Sequence, residues 1–470
     1  MPDSADTRPP ETPEGLRPAN ENPWYILMTL HDEQKGELID RVLHEKNRRA
    51  WNAWSGHALS AEEREAAAKS SEIDMSELEA WDGLAEEIKA RFVAEYQRRN
   101  PKVDDVPDLP APEGPIELSK TAFSNTVVLE KAVFASHAQF SSASFARNAW
   151  FASVRFTQGA WFDAATFTKS VWFSVATFTQ GAWFTSATFT QQAWFISATF
   201  KQAARFDAAT FTQAARFDAA SFSGFAYFTG TRFGSSTEEP CIPDFSDCLF
   251  EKPTSFRQAL FCDGYPDFSG AVLHDKTSFT ARMLPTSDEI SEDEDLEGQT
   301  YWPQKTKQDP VSARESCATI RHVLTQQGLP EEAHFFFRWE MYFAGLPSEG
   351  WSLGARLPYL LFGWLSDFGY SIQRPLWWLV GVWFVGVAVL WAVFSFPGAA
   401  SVLTQSDLGT AAALSFSNLF PLFGFGRVFL GDVLAALPRG AQVLCGLQTV
   451  SSLPLLFFLG LGLRQRFRLR

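Results

Sequence analysis

Phenylalanine alternates with small and polar residues in a regular pattern through the middle of the chain. From Phe123 to Phe233 an aromatic residue recurs at steps that alternate between six and five, with Leu129 filling the first gap, so the period is eleven residues. An α-helix turns by about 100° per residue, and these steps would place successive phenylalanines on opposite sides of it. Short strands that turn a corner at each step would point every phenylalanine toward one axis, together with the small residue two positions before it. The pattern therefore predicts a β-solenoid.

The repeat unit itself carries a family resemblance. One unit, residues 182–192, reads Ala-Trp-Phe-Thr-Ser-Ala-Thr-Phe-Thr-Gln-Gln. This pattern resembles the pentapeptide-repeat family, in the variant that adds one residue to every second unit, over roughly residues 121–281. The resemblance implies a right-handed quadrilateral β-helix with about four repeats per coil, and about seven coils at about 4.8 Å would form a rod roughly 34 Å long. We assign residues 116–282 to this solenoid.

The segments before the repeat differ from it in composition. Residues 1–22 are polar and proline-rich, which predicts a disordered tail. Residues 23–115 have helical spacing of apolar positions and end in a proline-rich linker, which predicts a helical domain. Two serine–glutamate capping boxes are expected to start helices there: Ser60 with Glu63, and Ser76 with Glu79.

The chain after the repeat is predicted to end in a membrane domain. Residues 283–309 are rich in acidic side chains and predict a solvated linker, and residues 310–371 predict a helix pair followed by an interfacial helix. Residues 372–470 then contain two uncharged apolar runs, Leu376–Phe396 and Ala441–Leu463, each long enough to span a bilayer. Because arginines flank the outer ends of both runs, the positive-inside rule predicts an even number of crossings with both ends in the cytoplasm.

The segment between these runs, Asp407–Asp432, is apolar but interrupted by proline, glycine and arginine. It predicts a re-entrant loop in which a short helix enters and an extended strand returns. Span, re-entrant helix and glycine-containing return resemble the two-transmembrane pore domain of potassium-type channels. The resemblance implies a tetrameric pore with this filter-like sequence: Leu422, Phe423, Gly424, Phe425, Gly426 and Arg427. Leu422 replaces the family's threonine and Arg427 its usual aspartate, so we expect a leaky, anion-tolerant or gated pore, or a pore fold that serves only as an anchor, rather than potassium selectivity.

A ladder of tryptophans precedes every second phenylalanine of the repeat. Its members are Trp150, Trp161, Trp172, Trp183 and Trp194, and arginine or tyrosine takes the same position further along. Because neighbours in the ladder are half a coil apart, they are expected to stack alternately on two opposite outer faces. Self-stacking that stiffens the rod and an interface for a protein partner or a second copy both fit this pattern.

Several function classes are not supported by the sequence. The seven histidines and five cysteines are scattered without metal-ligand spacing, and no nucleophile elbow or phosphate-binding loop occurs, so we expect no enzyme activity, no metal and no cofactor. Residues 116–235 contain nine Lys or Arg against five Asp or Glu, a balance of +4. This excess is too dilute for a nucleic-acid-binding stripe, and it has the wrong sign for a DNA mimic.

The sequence thus predicts a multidomain protein: an N-terminal α-helical region, a β-solenoid and a C-terminal α-helical transmembrane domain. Two functions are compatible with it. In the first, the protein is an oligomeric, channel-like protein of the bacterial plasma membrane, with its N-terminal domain, solenoid and C-terminus in the cytoplasm. In the second, it is a non-conducting membrane-tethered scaffold whose solenoid binds a protein partner.

Overall fold

The protein is described from a computed structural model in which it divides into two compact units, Met1–Phe337 and Arg338–Arg470. The described residues are 15–36, 38–234, 240–281, 302–303, 306, 308–347, 352–395 and 408–467. Each unit is considered by itself.

The N-terminal part of the first unit is helical. Its elements are a strand at Arg17–Pro18, a 3₁₀ turn at Ala19–Glu21, α1 (Pro23–Met28), α2 (Arg41–Gly56), α3 (Ala61–Ser71), α4 (Ser76–Glu79) and α5 (Trp81–Arg99). The disordered tail predicted for residues 1–22 is wrong for residues 15–22, because Arg17–Pro18 pairs in parallel with Thr121–Ala122 of the solenoid. Composition could not indicate this order, because it comes from a pairing over about 100 residues of chain. Residues 1–14 lie outside the described range.

The two predicted capping boxes have different outcomes. The first is present: the Ser60 hydroxyl accepts from the Glu63 backbone, and the Glu63 carboxylate accepts from the Ser60 backbone N–H at 2.9 Å. The second is wrong, because Ser76 lies inside the short helix α4 and donates its backbone N–H to Asp74 Oδ1 at 2.9 Å. An Asx turn at Asp74 satisfies the N–H that a capping side chain would otherwise take.

The solenoid has four faces, each a parallel sheet of strands two or three residues long. Face I contains Ile116–Glu117, Ala138–Gln139, Ala160–Trp161, Ala182–Trp183, Ala204–Arg205, Ala226–Tyr227, Thr254–Phe256 and Ser278–Phe279. Face II contains Arg17–Pro18, Thr121–Phe123, Ser144–Phe145, Thr166–Phe167, Thr188–Phe189, Thr210–Phe211, Arg232–Phe233 and Leu260–Phe261. Face III contains Val127–Val128, Ala149–Trp150, Val171–Trp172, Ala193–Trp194 and Ala215–Arg216. Face IV contains Val133–Phe134, Arg155–Phe156, Thr177–Phe178, Thr199–Phe200, Ser221–Phe222 and Leu249–Phe250.

The register confirms the predicted coil length in the regular part of the repeat. Ala160 pairs with Ala182, which pairs with Ala204, so one coil takes 22 residues. Later the spacing widens, and Ser221 pairs with Leu249, 28 residues on. The chain makes about seven turns in all.

Stacked phenylalanines fill the core. Phe151, Phe173 and Phe195 form one fully buried column, with ring centroids 4.8 and 5.0 Å apart. Phe162, from the opposite side, meets Phe151 edge to face at 5.7 Å. Each ring buries its surface and also gains favourable ring geometry, together about 2–4 kcal/mol against an exposed ring. The repeat therefore specifies both the shape and the stability of the rod.

The alternation of five and six residues has a backbone cause. One residue in every eleven has a positive φ, in the left-handed region: Lys120, Lys131, Ser142, Ser153, Ala164, Val175, Ser186, Ser197, Ala208, Ala219 and Gly230. Ser153, for example, lies in a turn closed by the Val154 N–H, which donates to the Phe151 carbonyl at 3.2 Å. Every second corner of a coil is thus a tight turn.

The helical domain covers the first edge of the solenoid. Strand Val133–Phe134 begins face IV and has no preceding coil to accept its backbone N–H groups. Helix α2 replaces that coil: Asn52 Oδ1 accepts from the Val133 N–H at 2.9 Å, and Ser55 Oγ accepts from the Ala135 N–H at 3.0 Å. Trp51 Nε1 donates to the Val133 carbonyl at 2.9 Å. Side chains of α2 thus pair with the backbone groups at this edge strand, which would otherwise be free to pair with a strand of another chain.

The far end of the solenoid is covered by residues that the sequence assigned to the acidic linker. Trp302 is fully buried and stacks on Phe261 with ring centroids 4.5 Å apart. Gln308 accepts from the Tyr265 N–H at 2.8 Å and donates to the Tyr265 carbonyl at 2.9 Å. The linker predicted for residues 283–309 is therefore wrong at its C-terminal end. Residues 283–301, with most of the acidic run, lie outside the described part of the chain.

The remaining elements are helices. They are α6 (Pro310–Gln326), α7 (Pro330–Gly345), α8 (Leu353–Ser366), α9 (Gln373–Ser395), α10 (Leu408–Leu419), a 3₁₀ turn at Pro421–Phe423, α11 (Phe425–Phe429), α12 (Gly431–Ala436) and α13 (Arg439–Phe467). The predicted helix pair corresponds to α6 and α7. The two predicted apolar runs correspond to α9 and α13.

Candidate functional site

The five ladder tryptophans stack on two opposite faces of the solenoid. On face III, the Trp150 and Trp172 rings lie 3.8 Å apart and nearly parallel, and Trp172 lies 4.6 Å from Trp194. On face I, Trp161 and Trp183 lie 4.6 Å apart with an interplanar angle of 1°. All five are half-buried by one another and by the backbone. This is the self-stacking that the spacing predicts, and binding of a partner stays a prediction.

Glycine lets the face I stack lie flat. A Cβ at Gly159 would come within 2.5 Å of the Trp161 ring, and one at Gly181 within 2.3 Å of the Trp183 ring. Both indole rings therefore lie directly over the glycine backbone, and a larger residue at either glycine would displace the ring. These glycines were missed at the sequence level, although each stands two positions before its tryptophan.

Charged residues continue both ladders. Arg205 follows Trp183 on face I, stacks over the Tyr227 ring at 5.2 Å and pairs with Asp207 at 2.9 Å. The hydrogen bond to Asp207 raises the pKa of Arg205. Arg216 follows Trp194 on face III. Each face therefore changes from aromatic to charged along the rod.

In the second unit, helix α10 packs against both long apolar helices, which also contact each other, and it runs antiparallel to α9. Its first half contacts Leu390 and Phe394 near the end of α9, whereas Leu419 at its end contacts Leu379 near the start of α9. The chain then returns, because Leu430 packs again with the Leu390 cluster. Twelve residues of helix span about 18 Å, roughly half of a bilayer core. The chain thus runs along α9 and turns back beside it, and a re-entrant placement in a membrane stays a prediction.

A buried network of polar side chains connects α10 to α9 and α13. Gln448 of α13 donates to the Ser415 hydroxyl at 2.7 Å and accepts from Asn418 Nδ2 at 3.1 Å. Ser415 in turn donates to the Trp383 carbonyl of α9 at 2.9 Å. A Cβ at Gly386 would come within 2.4 Å of both Gln448 and Ser415. One glutamine thus connects three helices in an otherwise apolar core.

The sequence reasoning missed this network, because the second apolar run was read as uniformly apolar. Gln448, a polar residue in the run Ala441–Leu463, is the position in the sequence that indicates a contact with another helix. A polar amide within an apolar run is costly to bury unless it finds a partner on another helix. Serine and asparagine on the intervening amphipathic segment were the available partners.

The residues that follow α10, Pro421–Phe423 and Phe425–Phe429 with Gly424 between them, form the return segment, and their conformation differs from the predicted one. The extended filter strand predicted after the re-entrant helix is wrong: Phe423 ends a 3₁₀ turn, Gly424 has φ +66°, and Phe425 begins helix α11. Leu422 belongs to the 3₁₀ turn, and Gly426 and Arg427 belong to α11. The side chains of Leu422 and Arg427 lie outside the described structure. Pro421 favours a turn at this point, and intrachain hydrogen bonds satisfy the backbone there in place of a ring of carbonyls that faces an ion. A role for these residues in a pore stays a prediction.

Two helices have the length and composition of membrane spans. Gln373–Ser395 has a mean hydropathy of 2.1 with 11% of its apolar window buried, and Arg439–Gln465 has 1.7 with 17% buried. The core helices of soluble proteins are mostly buried, whereas these are mostly exposed within the chain. Length and composition by themselves suggest a membrane hairpin only weakly.

No metal centre forms among the described residues, in which no three His, Cys, Asp or Glu side chains come together. The five cysteines all lie in described positions and are free thiols, and burial raises the pKa of Cys241 to about 12. Such a thiol is a poor nucleophile at neutral pH.

Comparison with known proteins identifies the repeat. The family model described as Pentapeptide repeats matches the chain in nine copies, among them residues 118–166, 151–199 and 162–210. No curated protein and no solved structure matches the chain.

Proposed function

Because the middle of this chain is a pentapeptide-repeat solenoid, we propose that the protein is a membrane-embedded pentapeptide-repeat protein whose C-terminal helices assemble into an oligomeric, channel-like unit. In this proposal α9 and α13 cross the bacterial plasma membrane, α10 is re-entrant, and the solenoid and both termini are cytoplasmic. Four copies would surround a pore, and the solenoid would regulate or assemble it.

The observation that carries the proposal is the packing of α10 against both apolar helices. A two-helix anchor needs only a short connection, whereas here the half-span helix α10 is bound to Gln448 of α13 through its Ser415 and Asn418 side chains. Buried amide and hydroxyl groups in a lipid-facing bundle mark positions where helices must keep a fixed arrangement. The surface of the return segment adds support, because Phe423, Val428 and Phe429 are 67%, 73% and 76% exposed within one chain and would be covered in an oligomer or by lipid.

The expected conduction is not potassium-selective. The turn at Gly424 and the helix that follows present no row of backbone carbonyls to an ion. In the sequence, Arg427 also replaces the aspartate that potassium-type channels usually have. We therefore expect weakly selective or anion-tolerant flux.

Ion flux through purified protein in liposomes tests the proposal. The wild type is expected to release trapped ions, and Gly386→Ala to lose most of that flux, because its methyl group would separate Gln448 from Ser415. Gly381→Ala is the matched control on the same helix, since a Cβ there meets nothing within 4 Å. Gly424→Pro should also abolish flux, because proline cannot adopt φ +66°.

The second candidate is a membrane-tethered scaffold, and the helical return segment favours it. In that case the wild type would float with liposomes yet release no ions. If the wild type releases no ions and Gly424→Pro gives the same result, the pore is contradicted. A protein that fails to float with liposomes would contradict membrane embedding and both candidates together.

A further inference from the structure

We propose that the groove between α7 and α8 binds the headgroup of an anionic phospholipid; this rests on the proposed membrane placement. The groove has a volume of about 300 Å³ and lies within the second unit, beside the start of the first span. Its lining includes Tyr342, Tyr359, Trp364 and Arg374.

The walls of the groove suit a lipid better than a soluble anion. Tyr342, Leu360 and Trp364 are 41%, 44% and 59% exposed, so the surface around it is aromatic and apolar. Aromatic residues of this kind concentrate at the headgroup level of a bilayer. Leu376 and Trp377, the first apolar residues of α9, continue the same exposed surface at 48% and 71%.

The charges around the groove favour an anion. Asp367 is its acid, and this carboxylate is paired with Arg338 at 2.6 Å and lies 3.7 Å from Arg374. The Arg374 side chain remains 53% exposed, with one guanidinium N–H donating to the Gly363 carbonyl at 3.1 Å. Arg356 donates Nε to the carbonyl of Gly345, a lining residue, at 3.0 Å. These three arginines and one aspartate sum to +2; only Arg374 and Asp367 line the groove itself, and Arg374 lies two residues before the apolar run that begins at Leu376.

The groove therefore combines what a phospholipid headgroup needs. Guanidinium groups bind phosphate through paired N–H donors, and basic pockets beside membrane helices on the cytoplasmic side bind anionic headgroups. Arg374 is the group expected to contact the phosphate. The aromatic walls are expected to contact the glycerol and the first acyl carbons.

Native mass spectrometry of the delipidated full-length protein in detergent tests this site. Phosphatidylglycerol and phosphatidylcholine with the same acyl chains are titrated separately. Phosphatidylglycerol is expected to bind at least about fivefold more tightly, and Arg374→Gln to remove about that factor. Arg439→Gln, at the start of the other span, is the matched control and should bind like the wild type. Arg374→Lys keeps the charge and should retain the preference even if the glutamine variant is less stable.

Equal binding of the two lipids by the wild type would overturn the proposal, as would equal effects of Arg374→Gln and Arg439→Gln. An excess of inorganic phosphate should leave the lipid bound. Displacement by phosphate would instead indicate a site for a free anion and would also overturn it. The titration needs no ion flux, so a protein that floats with liposomes and binds both lipids equally contradicts this site while leaving the proposed function standing.

Discussion

The substitution Asn52→Ala tests whether helix α2 replaces a missing coil of the solenoid. Asn52 is fully buried, its Oδ1 accepts from the Val133 N–H at 2.9 Å, and its Nδ2 donates to the Lys131 carbonyl at 3.3 Å. Alanine would leave the Val133 N–H buried without an acceptor. An orphaned buried donor costs about 2 kcal/mol, which corresponds to a roughly 30-fold change in a local opening equilibrium.

Hydrogen exchange of the full-length protein, followed by mass spectrometry with overlapping peptides, measures that opening. The amide of Val133 is expected to exchange roughly 30-fold faster in Asn52→Ala, whereas Ala135 keeps Ser55 Oγ as its acceptor. Amides on the middle coils, for example at Ala182, should be unchanged, because their partners are neighbouring coils. The matched control is Asn148→Ala, at a half-buried corner of a coil with neighbours on both sides.

A change of less than about threefold at Val133 would refute the reasoning, since an orphaned N–H cannot cost so little. Equal acceleration along the whole solenoid would refute it in another way. That result would mean that Asn52 stabilises the fold globally and does not protect one edge.

Three further outcomes are expected. Val175 is a β-branched residue at φ +60°, a backbone conformation that strains it, so Val175→Gly should raise the free energy of unfolding by about 1 kcal/mol in urea titrations. The control Ala176→Gly, at the adjacent buried position, should lower the free energy of unfolding by about as much. Equal losses in both variants would show that the backbone at Val175 is not strained. Trp172→Ala removes stacking on two neighbours and should lower the free energy of unfolding by about 2 kcal/mol; a loss below about 0.5 kcal/mol would show that the ladder adds little to stability. Burial lowers the pKa of His44, so the unfolded chain binds more protons, and stability should be fully present above pH 6.5 and decline as the pH falls below it. In thermal melts, His44→Phe should lose part of this decline, and an identical pH profile in both proteins would contradict it.

The C-terminal helices show which features of this chain could be predicted and which could not. The positions of α9 and α13 follow from the two uncharged apolar runs of the sequence. The chain turns back to the Leu390 cluster after α10, and its re-entrant placement in a membrane stays a prediction. The conformation of that return does not follow from the presence of Gly424. A glycine permits both an extended strand and a left-handed cap, and the hydrogen bonds available around it decide between them.

The ends of the solenoid show the same limit. Trp51 and Trp302 look alike in sequence, as aromatic residues in polar surroundings, yet both are buried as covers of the two solenoid edges. Such roles depend on contacts with coils that lie far away along the chain. A residue pattern that repeats locally carries no information about which distant side chain will occupy an unpaired strand edge.

The sequence by itself determined the β-solenoid, its period of eleven, its coil of 22 residues and the two opposite tryptophan stacks. It could do so because each coil repeats the same local pattern and contacts only its neighbours. Only the tertiary structure decided the covers on both edges, the network around Gln448 and the helical return after Gly424. Each of these depends on which buried polar groups meet across elements distant in the chain, and one-dimensional periodicity does not specify that.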